Sequence, residues 1–197
     1  MSDSATQATG LAQRPKRADA RRNYEKLLAA AADAFAQDGT DASLEDIARR
    51  AQVGIGTLYR HFPTRQDLLE AVYLEEVEEM SRAADDLADV EPWDALVTWL
   101  HQFVRYAATK RALADEMMAT IGRDAEVFVA CRAAITAAGD KLLQRAQEAG
   151  VVRRDTNFTD VGRMVGGIAA IRTTDPGQIE HILDVALDGL RYRAQDE

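Results

Sequence analysis

Between Ser43 and Phe62 the chain reads SLEDIARRAQVGIGTLYRHF, two short helical periods separated by a break that leaves room only for a tight turn. In the first period Leu44, Ile47, Ala48 and Ala51 recur at helical spacing behind Ser43, an N-cap residue, with Asp46 placed to complete a capping box. Gln52, Val53 and Gly54 interrupt that spacing, and Gly54 is the residue expected to take a positive φ there. Val53, Leu58 and Phe62 supply the inward contacts of the turn and second helix. Burying those three predicts an outward face of Ile55, Gly56, Thr57, Tyr59, Arg60 and His61. A self-contained core would want aliphatics at these positions. Small, hydroxyl, aromatic and imidazole groups instead suit a DNA major groove, where the glycines admit close backbone approach and the polar groups reach phosphates or base edges.

The flanks extend this pattern. A long amphipathic segment, YEKLLAAAADAFAQDGTDA, precedes the motif, and a proline-led restart, FPTRQDLLEAV, follows it. With the run Gly-x-Gly-Thr-Leu-Tyr-x-His-Phe between them, the chain resembles the tetracycline-repressor (TetR) family of transcriptional regulators over roughly residues 20–75. The resemblance implies a DNA-binding set of Ser43, Gly54, Ile55, Gly56, Thr57, Tyr59, Arg60, His61 and Arg65, with Ser43 and Arg65 touching backbone phosphate. It also implies a helical C-terminal part that dimerises and binds an effector.

A net charge of -9 looks wrong for a partner of DNA until it is divided along the chain. Up to Arg65 there are ten Lys and Arg against eight Asp and Glu; beyond it there are fourteen against twenty-five. Only the first third is fit to approach phosphate. From Gln66 to Glu91 ten carboxylates accompany a single arginine, Arg82, a density read as a solvated helix face pointing away from the duplex. A lone cysteine, Cys131, cannot form an internal disulfide, and no apolar run has the roughly 20 residues a membrane span needs. A cytoplasmic location without membrane association is expected.

Residues 1–19 read as a disordered basic arm: Met1 to Gln13 lacks periodicity, and Arg14, Lys16, Arg17, Arg21 and Arg22 follow in quick succession. It serves either DNA contact or solubility. Residues 20–66 form the three-helix helix-turn-helix domain, its first helix running over about 20–37 with Leu28, Ala31 and Phe35 inward and Gly39 as terminator. Thr64 and Asp67 predict a capping box for a fourth helix reaching about Ala88, with Leu68, Leu69, Val72, Tyr73 and Val77 buried. Residues 67–197 form the effector-binding and dimerisation domain. Helices are expected over WDALVTWLHQFVRYAATKR, ADEMMATIG and AEVFVACRAAITAAGDKLLQRAQEAG, ended by Gly122 and Gly150, then over about 159–172 and 178–193. Without a β-rich segment, the fold class is all-α.

Gly162 and Gly166 offer close backbone approach, and Ile179, Leu183, Ala186, Leu187 and Leu190 form an apolar stripe. These seven are the predicted homodimer interface, though both helices also suit packing within their own domain. An effector pocket for a small apolar or aromatic molecule is assigned to Trp99, Phe103, Met117, Met118, Phe128, Cys131 and Met164, a soft aromatic set that equally suits a core. Thr98, His101, Gln102 and Thr136 are the polar candidates for orienting it. His61, His101 and His181 fall in three different predicted helices without HExxH, paired cysteines or a nucleophile elbow, so no catalytic residues, metal or cofactor are expected. An effector-released repressor of a palindromic operator is the leading reading. A DNA-binding regulator without ligand and an all-α enzyme on the same scaffold are the alternatives.

Overall fold

The computed structural model describes residue 15 and residues 17–38, 41–122, 125–173 and 175–191. Their regular structure is helical: α1 (Ala18–Asp38), α2 (Leu44–Arg50), α3 (Ile55–His61), α4 (Arg65–Asp86), α5 (Pro92–Ile121), α6 (Glu126–Glu148), α7 (Phe158–Ala169) and α8 (Pro176–Asp188). The all-α reading holds. Arg14, Lys16 and Gly39, and the last residues of the helix predicted to reach Arg193, lie outside the described residues. The described chain divides into two units, one containing the residues up to Glu75 and those of Ala112–Arg123, the other those of Glu76–Arg111 and Asp124–Glu197.

In the first unit α1 packs on α2 and α2 on α3. α1 turns Tyr24, Leu27, Leu28, Ala31, Ala34 and Phe35 inward, and Ile47, Ala48, Leu58, Phe62, Leu68, Leu69 and Val72 are buried with them. α4 begins with the predicted capping box: Thr64 N–H donates to Asp67 Oδ2 at 2.8 Å, and Asp67 N–H donates to Thr64 Oγ1 at 3.1 Å. Arg50 ties α2 back to the end of α1 through Gln37 Oε1 at 3.0 Å and Asp38 Oδ2 at 3.2 Å.

The segments predicted as two helices run as one, α5. Residues 107–114 read AATKRALA, good helix formers without Gly or Pro, so nothing there ends the helix. Gly122 and Gly150, at φ +83° and +72°, do terminate helices as predicted. α7 is capped by Asn157, whose Oδ1 accepts from Asp160 N–H at 3.1 Å; α8 is capped by Asp175 and has Pro176 at its start. α6 packs on α7 and α7 on α8. After α8 the chain returns to the α6–α7 connection, where Arg153 N–H donates to Leu190 O at 3.0 Å and Arg191 lies 4.6 Å over the Trp93 ring.

An aromatic cluster fills the second unit's core. Trp99 stacks on Phe103 with centroids 5.5 Å apart and meets the edge of Phe158 at 5.6 Å, while its indole N–H donates to Met80 O at 2.8 Å. Phe158 is accommodated only because α6 carries Gly139 opposite it: a methyl group placed on Gly139 would overlap the Phe158 ring. Since the ring is buried among its neighbours it has little freedom to yield. Gly139→Ala is therefore expected to cost about 1–3 kcal/mol by overpacking, read as a lower urea midpoint at unchanged slope. An unaltered midpoint would mean that the ring finds room elsewhere.

Candidate nucleic-acid interface

α3 is seven residues long and is positioned by what it buries. Leu58 and Phe62 are wholly buried, and Tyr24 of α1 lies against Phe62 with centroids 5.1 Å apart. The sequence reading passed over Tyr24, although its spacing four before Leu28 places it on the inward stripe of α1. With that side fixed, Gly54, Gly56, Tyr59 and Arg60 face solvent, and Ile55 and Tyr59 remain 38% and 45% exposed despite their size. Thr57 and His61 are half-buried flanks of this surface, a correction to the outward placement predicted for both. His61 meets the edge of Tyr24 at 6.0 Å, and burial, with a smaller contribution from Arg60, holds its pKa below the ordinary histidine value.

The turn before α3 is built differently from expectation. Gly54 has φ −68° and caps α3, whereas the positive φ, +57°, belongs to Gln52. Gln52 N–H donates to Arg49 O at 3.1 Å and Val53 N–H to Ala48 O at 3.0 Å, a Schellman closure of α2 that sets the handedness wherever the side chain permits. Gly54 and Gly56 answer no internal steric demand: a Cβ on either would meet nothing within 4 Å.

Two predicted phosphate contacts are engaged inside the protein. Ser43 Oγ accepts weakly from Asp46 N–H at 3.4 Å and donates to Glu45 Oε2 at 2.9 Å. A backbone N–H at the helix start and the Ser43 hydroxyl hold the exposed Glu45 carboxylate below its usual range, so a carboxylate sits where an anion was predicted. Asp46, predicted to reach back to Ser43, pairs instead with Arg49 at 2.6 Å. Arg65 Nη1 donates to Ala42 O at 2.7 Å and its guanidinium lies 5.4 Å over Phe35, so it braces the start of α4 from within the unit.

The remaining predicted sites are redistributed. Leu183, Leu187 and Leu190 are buried within the chain itself at 0, 2 and 7% exposure, so they belong to its core. Ile179, Ala186 and Gly162 are half-buried, Gly166 is exposed, and the outward side of α8 carries Val185, 61% exposed. Of the predicted pocket, Trp99, Phe128 and Cys131 are buried in the second unit with Phe103 and Met164 half-buried, whereas Met117 and Met118 fall in the first unit. Trp99, Met117, Phe128 and Cys131 are buried as core, and Phe103, Met118 and Met164 lie at its edge. Burial pushes the Cys131 thiol up to about 11, against a smaller opposing effect of Arg132, which keeps it protonated and unreactive. A cleft in the second unit is lined by Glu76, Glu79, Met80, Ala83, Gln102 and Tyr106.

A three-helix unit that exposes bulky apolar, phenolic and cationic groups around two glycines has known counterparts. Residues 27–72 match the family model described as bacterial regulatory proteins, tetR family, and residues 91–192 match that described as the SbtR-like transcriptional regulator C-terminal domain. The chain belongs to the TetR family. It is similar to the TetR transcriptional regulator SCO0520 of Streptomyces coelicolor at 40% identity, covering 86% of this chain and 99% of that one with a TM-score of 0.77. It is 26% identical over 145 residues to the regulator UidR of Escherichia coli, a match spanning 71% of this chain and 74% of that protein. With the regulator SAR0097 of Staphylococcus aureus it shares 39% identity over 85 residues, and there it spans only 44% of the relative's length. As a TetR-family member this chain is a DNA-binding transcriptional regulator. No helix among the described residues is long and apolar enough to cross a membrane.

Arg65→Ala is expected to lower stability by about 1–2 kcal/mol through loss of a charge-assisted hydrogen bond, measured as a drop in thermal midpoint without DNA. A midpoint at the parental value would return the guanidinium to the phosphate contacts.

Proposed function

We propose that this TetR regulator is a cytoplasmic homodimeric repressor, without enzymatic activity, that reads a palindromic operator through α3 and leaves it when a small molecule binds the C-terminal part. The observation carrying the base-reading assignment is the exposure of Ile55, Tyr59 and Arg60 around two glycines that the fold does not require. Arg60 supplies a donor fork for a guanine edge, Tyr59 a hydroxyl and ring, and Ile55 an apolar surface for a thymine methyl. Gly54 and Gly56 leave the backbone low enough to meet the groove. Thr57 and His61 flank the contact, and Ser43 and Arg65 act by holding α2 and α4 in place.

Glycine inside a short helix costs stability relative to alanine, and here nothing internal offsets that cost. Gly56→Ala is thus expected to raise stability by up to about 1 kcal/mol while weakening operator binding. Tyr59→Ala and Arg60→Ala are each expected to cost about 1–3 kcal/mol of discrimination between operator and random duplex. The operator itself comes from selection out of a random duplex library at fixed salt. Equal discrimination in all three variants would remove α3 from the interface.

Pairing follows from geometry, because two α3 helices about 34 Å apart meet successive major grooves of a palindrome. We assign the seam to the outward sides of α7 and α8, with Gly166, Gly167, Ile182 and Val185 at its centre and Gly162, Ile179 and Ala186 at its margin. Val185→Glu places charge in that seam and is expected to yield folded monomers at micromolar concentration in sedimentation velocity. Leu183→Glu, by contrast, is expected to unfold the second unit, since the leucine is wholly buried within one protomer. Dimers persisting in Val185→Glu would move the seam elsewhere.

A further inference from the structure

α4 carries Glu76, Glu79, Met80 and Ala83 on one face, at the spacing i, i+3, i+4 and i+7, and α5 carries Gln102 and Tyr106 one turn apart. Together they line a cleft of about 340 Å³, within the size range of small-molecule sites. Its walls differ in chemistry. One holds two carboxylates at different depths: Glu76 is half-buried with Oε2 turned out of solvent, and Glu79 is exposed at the rim. Met80 and Ala83 of α4 and the Tyr106 ring of α5 supply the apolar and aromatic lining, and the ring is stiffened from behind: Tyr106 stacks on Phe103, which stacks on Trp99, whose indole N–H holds the Met80 carbonyl.

No Lys, Arg or His lines this cleft, so an anionic ligand meets two carboxylates and no opposite charge there. A bare metal ion is disfavoured too, since among the described residues no group of three or more His, Cys, Asp or Glu is arranged to hold one. A ligand matching both walls carries positive charge at one end and an apolar body at the other. A carboxylate at the depth of Glu76 attracts such a charge more strongly than one in bulk water, and the Tyr106 ring face adds a cation–π contribution. Gln102 offers an amide to any polar substituent on the body.

We propose that the α4–α5 cleft binds an amphiphilic organic cation, an amine or quaternary ammonium, with its charged nitrogen between Glu76 and Glu79 and its body against Met80, Ala83 and Tyr106. The site stands on the cleft alone, whereas its role as the effector site rests on the reading proposed above.

The test is calorimetric titration of the full-length protein with benzyltrimethylammonium, with phenylacetate and benzyl alcohol as anionic and neutral counterparts. Saturable binding of the cation alone is expected, weakened about tenfold or more by Glu76→Gln and less by the rim variant Glu79→Gln. Should Glu76→Gln fail to fold, as judged by circular dichroism, Glu79→Gln carries the comparison. Absence of cation binding, equal binding of benzyl alcohol, or unchanged affinity in the folded variants would overturn the site. Operator affinity measured with and without the cation separates the two readings. Cation binding with unaltered operator affinity supports the site and sinks its effector role. Release of DNA by other compounds, with no cation uptake, overturns the site and leaves effector control standing.

Discussion

The burial of Leu58 and Phe62 is the constraint from which the exposed surface of α3 follows. A helix of seven residues is far too short to persist on its own in water, so α3 exists because two large side chains are held in the core of the first unit. Those two also fix its rotation about its own axis. Once Leu58 and Phe62 point inward and Tyr24 closes on Phe62, Tyr59 and Arg60 have only solvent to face. In the proposed reading specificity is a property of packing: the side chains assigned to the operator are aimed by the side chains that stay inside.

Around this helix most polar groups are already engaged within the unit. Ser43 caps α2, Asp46 holds Arg49, Arg50 reaches Gln37 and Asp38, Thr64 and Asp67 satisfy each other, and Arg65 supports Ala42. Each interaction fixes an element that borders α3. Among the described residues of α3, Ile55, Tyr59 and Arg60 remain exposed to an external partner, with Arg60 as the exposed cation. In the proposed reading such a surface depends on fit to a sequence more than on charge.

Much of this was legible in the sequence because helical periodicity reports which side of an element is buried. Leu28, Ala31, Phe35, Ile47, Ala48, Leu68, Leu69 and Val72 are all inward as the spacing predicts. Periodicity does not say which neighbour covers a stripe. Leu183, Leu187 and Leu190 suit a subunit seam and a domain core equally well, and only the fold placed them in the core. The positive φ at Gln52 was missed for another reason: handedness at a helix end is set by the hydrogen bonds of the Schellman turn, and a glycine two residues later drew the assignment away from it. Trp99, Phe103 and Phe158 likewise satisfy one another, so the aromatic inventory that suggested a pocket is the filling of a core.

The acidic run after Arg65 makes the same point about charge. Read as one block it is a solvated face, yet its members do different work. Asp67 caps α4, Glu70 accepts from Gln66 at 3.0 Å, Asp85 pairs with Lys141 at 2.7 Å, and Glu76 and Glu79 line the cleft. α4 therefore carries a capping box in its first turn, and glutamates that line a groove in its later turns. A molecule bound in that groove alters DNA affinity only by the difference in its free energy between the two states of the protein; a ligand held equally well in both would change nothing however tightly it bound.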